Sequence, residues 1–126
     1  DYALEKAVRW NASVILSVPC CQHELNRQIK NEMLAPILEY GILKERFSAI
    51  LTDGLRAQML ESKGYDTQIL EFIDMEHTPK NLLIRAVKNE NKKYSEQQKA
   101  AWEACIEAFH VKPTLQKELF LEGNHK

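Results

Sequence analysis

The chain has 126 residues, a net charge of −1 and 44% hydrophobic residues, values typical of one small globular domain. Its nearly balanced charge excludes a global positive field that would draw the chain to nucleic acid or to a membrane. No apolar run approaches the roughly 18 residues that a membrane-spanning helix requires, and no signal peptide is visible. The three cysteines, two of them adjacent, make a poor disulfide framework and indicate free thiols in a reducing cytoplasm.

The first elements are predicted to be a helix and a strand. Residues 3–11 resemble the end of a helix, because Leu4 and Val8 recur on one face. This helix opens almost at the first residue, so we expect that a preceding segment is missing. The segment Ser13-Val14-Ile15-Leu16-Ser17-Val18 is β-branched and uncharged, a pattern typical of strands buried on both faces. Pro19 ends it, since proline has no N–H to donate to a ladder.

The middle of the chain is predicted to be mostly helical. A loop over residues 20–24 leads into a short helix with apolar positions Leu25, Ile29 and Met33. Pro36 suits the first turn of another helical stretch over residues 37–44.

The strongest helical pattern covers residues 47–63 and ends at Gly64, a C-terminal cap. Gly54 costs this helix about 1 kcal/mol relative to alanine, so we expect another backbone to approach it closely. Asp53 and Arg56 are placed on its polar face, as a surface ion pair worth a few tenths of a kcal/mol.

The last third of the chain is predicted to contain a hairpin and a helix. Residues 67–73 and 82–87 read as strands joined by a short connection over residues 74–81. The final amphipathic helix carries an apolar stripe, expected to be core rather than a partner-binding face: Trp102, Cys105, Ile106 and Phe109.

These elements predict an α/β fold with about three strands, the last of them antiparallel, and flanking helices. The first strand, the long helix and the second strand form a βαβ unit, and the hairpin adds the antiparallel strand. The first strand then keeps one bare edge, and an apolar bare edge invites pairing. We expect residues 14–18 to be covered by a missing N-terminal segment or by a second copy of the chain.

The densest group of reactive side chains is Pro19-Cys20-Cys21-Gln22-His23-Glu24, directly after the first strand. Ligands of open α/β sheets bind outside the carboxyl ends of strands. Three interpretations stay open: a packed cysteine pair with a surface histidine, a substrate-contacting or catalytic loop, and a metal shared by Cys21 and His23. A structural zinc would need four ligands. For His77-Thr78-Pro79-Lys80-Asn81, a rigid connection is favoured over a site.

Four stretches of the chain carry a family resemblance. They are Asp1-Tyr2-Ala3-Leu4, Ser17-Val18-Pro19-Cys20-Cys21-Gln22-His23-Glu24-Leu25, Leu51-Thr52-Asp53-Gly54-Leu55-Arg56 and Glu76-His77-Thr78-Pro79-Lys80-Asn81-Leu82-Leu83-Ile84-Arg85. Together they resemble methyltransferase domains with a "PCC-x-H" signature. These domains use S-adenosylmethionine and are similar to methyltransferase-like proteins and to the tRNA 2′-O-methyltransferases of the Trm-thirteen group.

The resemblance implies that the chain is part of a Rossmann-like methyltransferase sheet. Residues 1–88 would be the substrate-side, C-terminal half of the domain, and residues 89–126 a helical extension. The three strands would be the fifth, sixth and seventh, with the antiparallel seventh between the other two and the missing fourth beside the fifth.

The same resemblance assigns roles and partners. Cys21 and His23 would be catalytic, and Pro19, Cys20 and Gln22 would contact the substrate, RNA or a small-molecule acceptor. S-adenosylmethionine would be bound mainly by the missing half, because the four glycines of this chain are too far apart for a glycine-rich loop. No metal and no membrane partner are expected. The rival hypothesis is a non-catalytic α/β module that associates with itself or with a partner through the bare strand edge.

Overall fold

The computed structural model describes residues 2–18, 25–71 and 82–112. The elements in these ranges are α1 (Tyr2–Arg9), β1 (Val14–Ser17), α2 (Ala35–Leu38), α3 (Gly41–Ser62), β2 (Tyr65–Glu71), β3 (Leu82–Lys88) and α4 (Glu96–Phe109). The predicted class, mixed α/β, is confirmed.

The three strands form one sheet in the order β1-β3-β2. The central strand β3 is antiparallel to both neighbours, so β1 and β2 run in the same direction and α3 lies on the crossover between them. The prediction of a last, antiparallel strand is therefore confirmed. The predicted bare edge is confirmed as well, because no described strand pairs with β1 on the side away from β3.

The hydrophobic core lies against one face of this sheet, here called the inner face. The strands contribute Ile15, Tyr65, Ile84 and Ala86 to the core, and the strand register places all four on the same face. Helices α1, α3 and α4 add residues to the same cluster. The helices of the described ranges thus form a single layer, and the sheet has no helical cover from them on its other face.

The outer face of β1 is exposed, which corrects the prediction of a strand buried on both faces. Ile15 is 6% exposed on the inner face, whereas Val14, Leu16 and Val18 are 53%, 63% and 53% exposed. Alternate residues of a strand point to opposite faces, and only one of these faces is covered by the helical layer. The uncharged sequence of β1 predicts two covered faces, but the described chain supplies one.

The predicted helix over Leu25, Ile29 and Met33 is wrong. Residues 25–28 form a turn, in which the Ile29 amide donates to the Leu25 carbonyl at 3.0 Å. Leu25 and Ile29 are buried, but Met33 is 87% exposed. The Asn31 side chain accepts a hydrogen bond from the Leu34 amide at 2.9 Å, a local bond that competes with helix formation.

The predicted helical stretch over residues 37–44 is divided into two helices. Pro36 does lie in the first turn of α2, as expected. Tyr40 has an extended backbone, φ −85° and ψ 116°, which ends one helix and allows α3 to begin at Gly41. Helix α3 therefore begins at Gly41, before the apolar pattern that predicts a helix over residues 47–63.

The two glycines of the α3 prediction have different outcomes. Gly64 follows the helix with φ +95°, a left-handed conformation that glycine adopts without strain, so the predicted cap is confirmed. Around Gly54, no heavy atom other than those of its chain neighbours and its own helix backbone lies within 4 Å of the position that a Cβ would occupy. The expectation of a close backbone at Gly54 is therefore wrong.

Helix α4 closes the core as predicted. It begins with a capping box, in which Ser95 and Gln98 exchange side-chain to backbone hydrogen bonds. Trp102 is 7% exposed, and the other stripe residues pack on the same core: Cys105, Ile106 and Phe109. The Phe109 ring lies 5.2 Å from the Phe47 ring, which joins α4 to α3.

Candidate functional site

The predicted site residues lie outside the described ranges. These are Pro19, Cys20, Cys21, Gln22 and His23, and residues 77–81 of the second candidate are outside as well. The structure describes the residues on either side of residues 19–24, up to Val18 and from Leu25 onward. These flanking residues are here called the frame of the motif.

The described chain before the motif ends just after the carboxyl end of β1. Ser17 is the last residue of this strand and is paired with Ile84. Val18 follows and is half exposed. The six residues after it therefore start at the edge of the sheet where ligands of α/β proteins bind.

After the motif, the described chain resumes at Leu25, in the core next to α3. Leu25 is completely buried. The neighbouring Asn26 accepts a hydrogen bond from the Ser48 hydroxyl at 3.1 Å, and Ser48 is itself buried within α3. Residue 25 is thus a fixed end for the motif.

The C-terminal end of α4 holds the residues that follow this point. Four hydrogen bonds join the two segments: Lys30 N to Phe109 O at 3.1 Å, Asn31 Nδ2 to Ala108 O at 3.1 Å, His110 Nδ1 with Lys30 O at 2.8 Å and Lys112 N to Gln28 Oε1 at 2.7 Å. Consequently, the first part of the predicted extension, residues 89–112, holds in place the residues that follow the motif.

Helix α3 carries a buried ion pair. Arg56 Nη1 is 3.5 Å from Asp53 Oδ1, and the two side chains are 7% and 3% exposed. The prediction of a surface pair is wrong, because these residues lie on the part of α3 that is covered by the rest of the fold. Burial removes both charges from water, so removal of one partner lowers the free energy of unfolding far more than it would in a surface pair.

The position of the Asp53–Arg56 pair along the strand direction of the sheet follows from helix and strand geometry. Asp53 lies about 14 Å from the end of α3 at 1.5 Å per residue. Ile69 lies about 13 Å along β2 at roughly 3.3 Å per residue. Since the two elements are antiparallel neighbours, Asp53 is level with Ile69, which shares a register row with Ser17. The ion pair is therefore level with the point where the motif begins.

Sequence reasoning found this pair but missed its burial, which one pattern could have indicated. Asp53 and Arg56 belong to the stretch Leu51-Thr52-Asp53-Gly54-Leu55-Arg56, which is part of the family resemblance. Spacing along a helix cannot by itself show whether a charged pair is covered by another element.

A second polar cluster joins the start of the extension to the sheet. Lys92 lies 3.1 Å from Asp66 and 3.6 Å from Glu61, and Asn89 donates to Asp66 at 2.8 Å. Hydrogen bonds from Asn89 and Lys92 lower the pKa of Asp66, and the Asp66 contact raises the pKa of Lys92. Each charge has a partner here, which indicates a structural role.

An apolar groove of about 690 Å³ runs between α3, α4 and β2. Its lining includes Phe47, Ile50, Trp102 and Cys105, with Gln58 and Gln98 among its few polar side chains. Burial raises the pKa of the Cys105 thiol, so this thiol stays protonated near neutral pH and is a poor nucleophile. The groove is therefore an apolar cavity whose cysteine thiol is not activated for catalysis.

The described ranges contain no group of three or more histidine, cysteine, aspartate or glutamate residues that could hold a metal ion. None of their three glycines lies in a glycine-rich loop at a strand end, because Gly41 and Gly54 are inside α3 and Gly64 is in the turn after it. None of their helices has the length and apolarity needed to cross a membrane. Comparisons with protein-family models, with curated proteins and with solved structures found no match to this chain.

Proposed function

We propose that this chain is the substrate-side, C-terminal half of a methyltransferase that uses S-adenosylmethionine, with RNA as the preferred substrate class and a small-molecule acceptor as the alternative. The observation that carries the proposal is the strand order β1-β3-β2 with an antiparallel central strand. A free thiol at Cys105 agrees with a reducing compartment, and we place the protein in the cytoplasm.

The strand order supports the proposal because it is unusual for a βαβ unit. A simple parallel sheet would place β1 and β2 side by side, with hydrogen bonds between them. Here the third strand inserts antiparallel between the two parallel ones. The resemblance implies this arrangement for the fifth, seventh and sixth strands of the methyltransferase sheet.

The uncovered surfaces of the sheet agree with a missing half. The outer face of β1 is apolar and exposed, and a Rossmann-like sheet of the kind that the resemblance implies is covered by helices on both faces. The free edge of β1 is where the fourth strand would lie. Both surfaces would be buried if the rest of such a domain were present.

The proposed chemistry assigns separate roles to the motif residues. Methyl transfer depends mainly on the alignment of the nucleophile, so positioning contributes much of the catalysis. His23, with an ordinary pKa near 6.5, would accept the proton of the attacking hydroxyl or amine. Cys21 would shape the pocket, and Pro19, Cys20 and Gln22 would contact the substrate.

The cofactor itself would be bound mainly by the missing half. The described ranges contain no glycine-rich loop at a strand end. The test is calorimetric titration of S-adenosylmethionine into this chain and into a longer chain that includes the upstream half. We expect binding by the longer chain only. A low-micromolar dissociation constant for this chain alone would contradict the proposal.

The roles of the motif residues are tested in the longer chain. We expect His23→Ala and Cys21→Ala to lower methyl transfer while cofactor binding and the melting temperature stay unchanged. Wild-type turnover in both variants would assign the motif a structural role instead.

A second candidate function is favoured by the exposed edge and outer face of β1. These surfaces suit a non-catalytic interaction module that pairs with another strand. The two candidates differ in what lies upstream in the gene, since only the enzyme requires a glycine-rich loop and an acidic strand end there.

A further inference from the structure

The hydrogen bonds of β1 show which backbone groups face its open edge. The Lys88 amide donates to the Ser13 carbonyl at 2.8 Å, and these two residues continue the β1–β3 register. In an antiparallel pair, hydrogen-bonded and non-hydrogen-bonded positions alternate. Ser13, Ile15 and Ser17 therefore bond to β3, while the amides and carbonyls of Val14, Leu16 and Val18 point to the open edge.

The same three residues also present their side chains on the outer face. They are 53%, 63% and 53% exposed, and valine, leucine and valine are arranged symmetrically about Leu16. A symmetric sequence of this kind becomes self-complementary when an identical strand is placed antiparallel to it. In that arrangement Leu16 meets Leu16, and Val14 meets Val18 of the other strand.

The described residues along β1 carry none of the usual obstacles to such pairing. Residues 12–18 contain no charge and no proline, the devices that proteins use to protect an edge strand. The opposite edge of the sheet differs. There β2 carries Asp66 and Glu71, and the Glu61 carboxylate accepts a hydrogen bond from the Thr67 amide at 3.4 Å.

We propose that two copies of this chain pair through β1, antiparallel, with the two-fold axis at Leu16. The product is one continuous sheet of strand order β2-β3-β1-β1-β3-β2. Each of the three edge residues exchanges two backbone hydrogen bonds with its opposite residue. The three apolar side chains of each copy then pack against those of the other, in cross-strand pairs on the outer face.

The size of the contact sets its strength. A strand pairing of five residues per chain buries less surface than a standard protein–protein interface, which buries about 1,200–2,000 Å² in total. The dimer should therefore form in a concentration-dependent way. The dimer is an inference about this chain without an upstream half, because in the proposed methyltransferase a fourth strand would occupy the same edge and exclude the second copy.

The first test is sedimentation velocity of the 126-residue chain from micromolar to near-millimolar concentration. We expect a reversible monomer–dimer equilibrium. Leu16→Lys places like charges opposite each other at the axis and should weaken dimerisation by at least roughly tenfold. The matched control is Ile50→Lys on α3, where the side chain is 68% exposed and far from the edge. This control should leave the dimer unchanged.

A second variant separates edge pairing from packing of the two outer faces. Leu16→Pro removes an amide that faces the open edge, so the fold keeps its ladder to β3 while the dimer is lost. Leu70→Lys changes the outer face at the far strand β2 and should leave the dimer intact. Circular dichroism confirms that each variant is folded before its mass is measured.

Amide exchange measured residue by residue by NMR is an independent readout. We expect Val14, Leu16 and Val18 to become protected as the concentration rises, while Ile15 and Ser17 are protected throughout. A monomer at the highest concentration would overturn the proposal. So would a dimer that survives Leu16→Pro and is removed by Leu70→Lys. Because these readouts do not measure methyl transfer, their failure is distinct from a failure of the proposed function.

Discussion

Removal of the Arg56 guanidinium is the sharpest test of the buried ion pair on α3. In Arg56→Ala, the Asp53 carboxylate, whose side chain is only 3% exposed, keeps its burial and loses this cation. Truncation of one partner of a buried pair costs about 3–5 kcal/mol. A surface pair at the same spacing would contribute only a few tenths of a kcal/mol.

The expected change in melting temperature follows from the size of the chain. Unfolding entropy is about 2.1 cal/mol/K per residue, so a chain of 126 residues has roughly 0.26 kcal/mol/K, and the shift is about 11–19 °C. The assay is thermal and urea unfolding followed by circular dichroism. The matched control is Arg46→Ala, the same substitution at an exposed position of the same helix, which should change stability by less than about 0.5 kcal/mol.

Two further measurements show whether the pair acts as a unit. The double variant Asp53→Ala/Arg56→Ala should lose less stability than the sum of the two single variants, because the interaction between the two side chains is then lost only once. The loss in Arg56→Ala should change little with salt, since buried charges are poorly screened. A loss below about 1 kcal/mol, or a strong salt dependence, would mean that the pair behaves as a surface pair and would refute the reasoning.

Two other predictions concern glycine and aspartate. Gly54→Ala should stabilise the chain by up to about 1 kcal/mol because a Cβ has free space there, whereas Gly64→Ala should destabilise it because φ is +95°. Urea unfolding of both variants measures the two changes, and equal effects on the free energy of unfolding would contradict the prediction. The pKa of Asp66 is lowered by Asn89 and Lys92, so its contribution to stability is present above its unfolded pKa of about 3.9 and is lost as the pH falls through the lower folded value. Carbon-detected NMR titration should show this low midpoint and its rise in Asn89→Ala; an unchanged midpoint in that variant would remove Asn89 as the main cause.

Local patterns in the sequence predict most of the elements because their causes are local. The apolar spacing of α3, the β-branched residues of β1 and the stripe of Trp102 and Phe109 each depend on residues within a few positions of one another. Gly64 is predicted correctly for the same reason, since a helix end requires a backbone conformation that glycine adopts without strain.

The failures occur where distant residues compete with a local pattern. Leu25, Ile29 and Met33 have helical spacing, but two of them fill the core from a turn and the third is exposed. The hydrogen bond that Asn26 accepts from Ser48 and those between residues 28–31 and the end of α4 hold this turn in place. None of these partners is near in sequence.

What the sequence by itself determined is the kind of each main element and the position of the motif after the first strand. Only the tertiary structure decided which surfaces are covered. It buries the charges of Asp53 and Arg56 and exposes the apolar side chains of Val14 and Leu16, the reverse of what their polarity indicates. The physical reason is that burial depends on the layers above an element, and in the described chain all the helices lie on one face of the sheet.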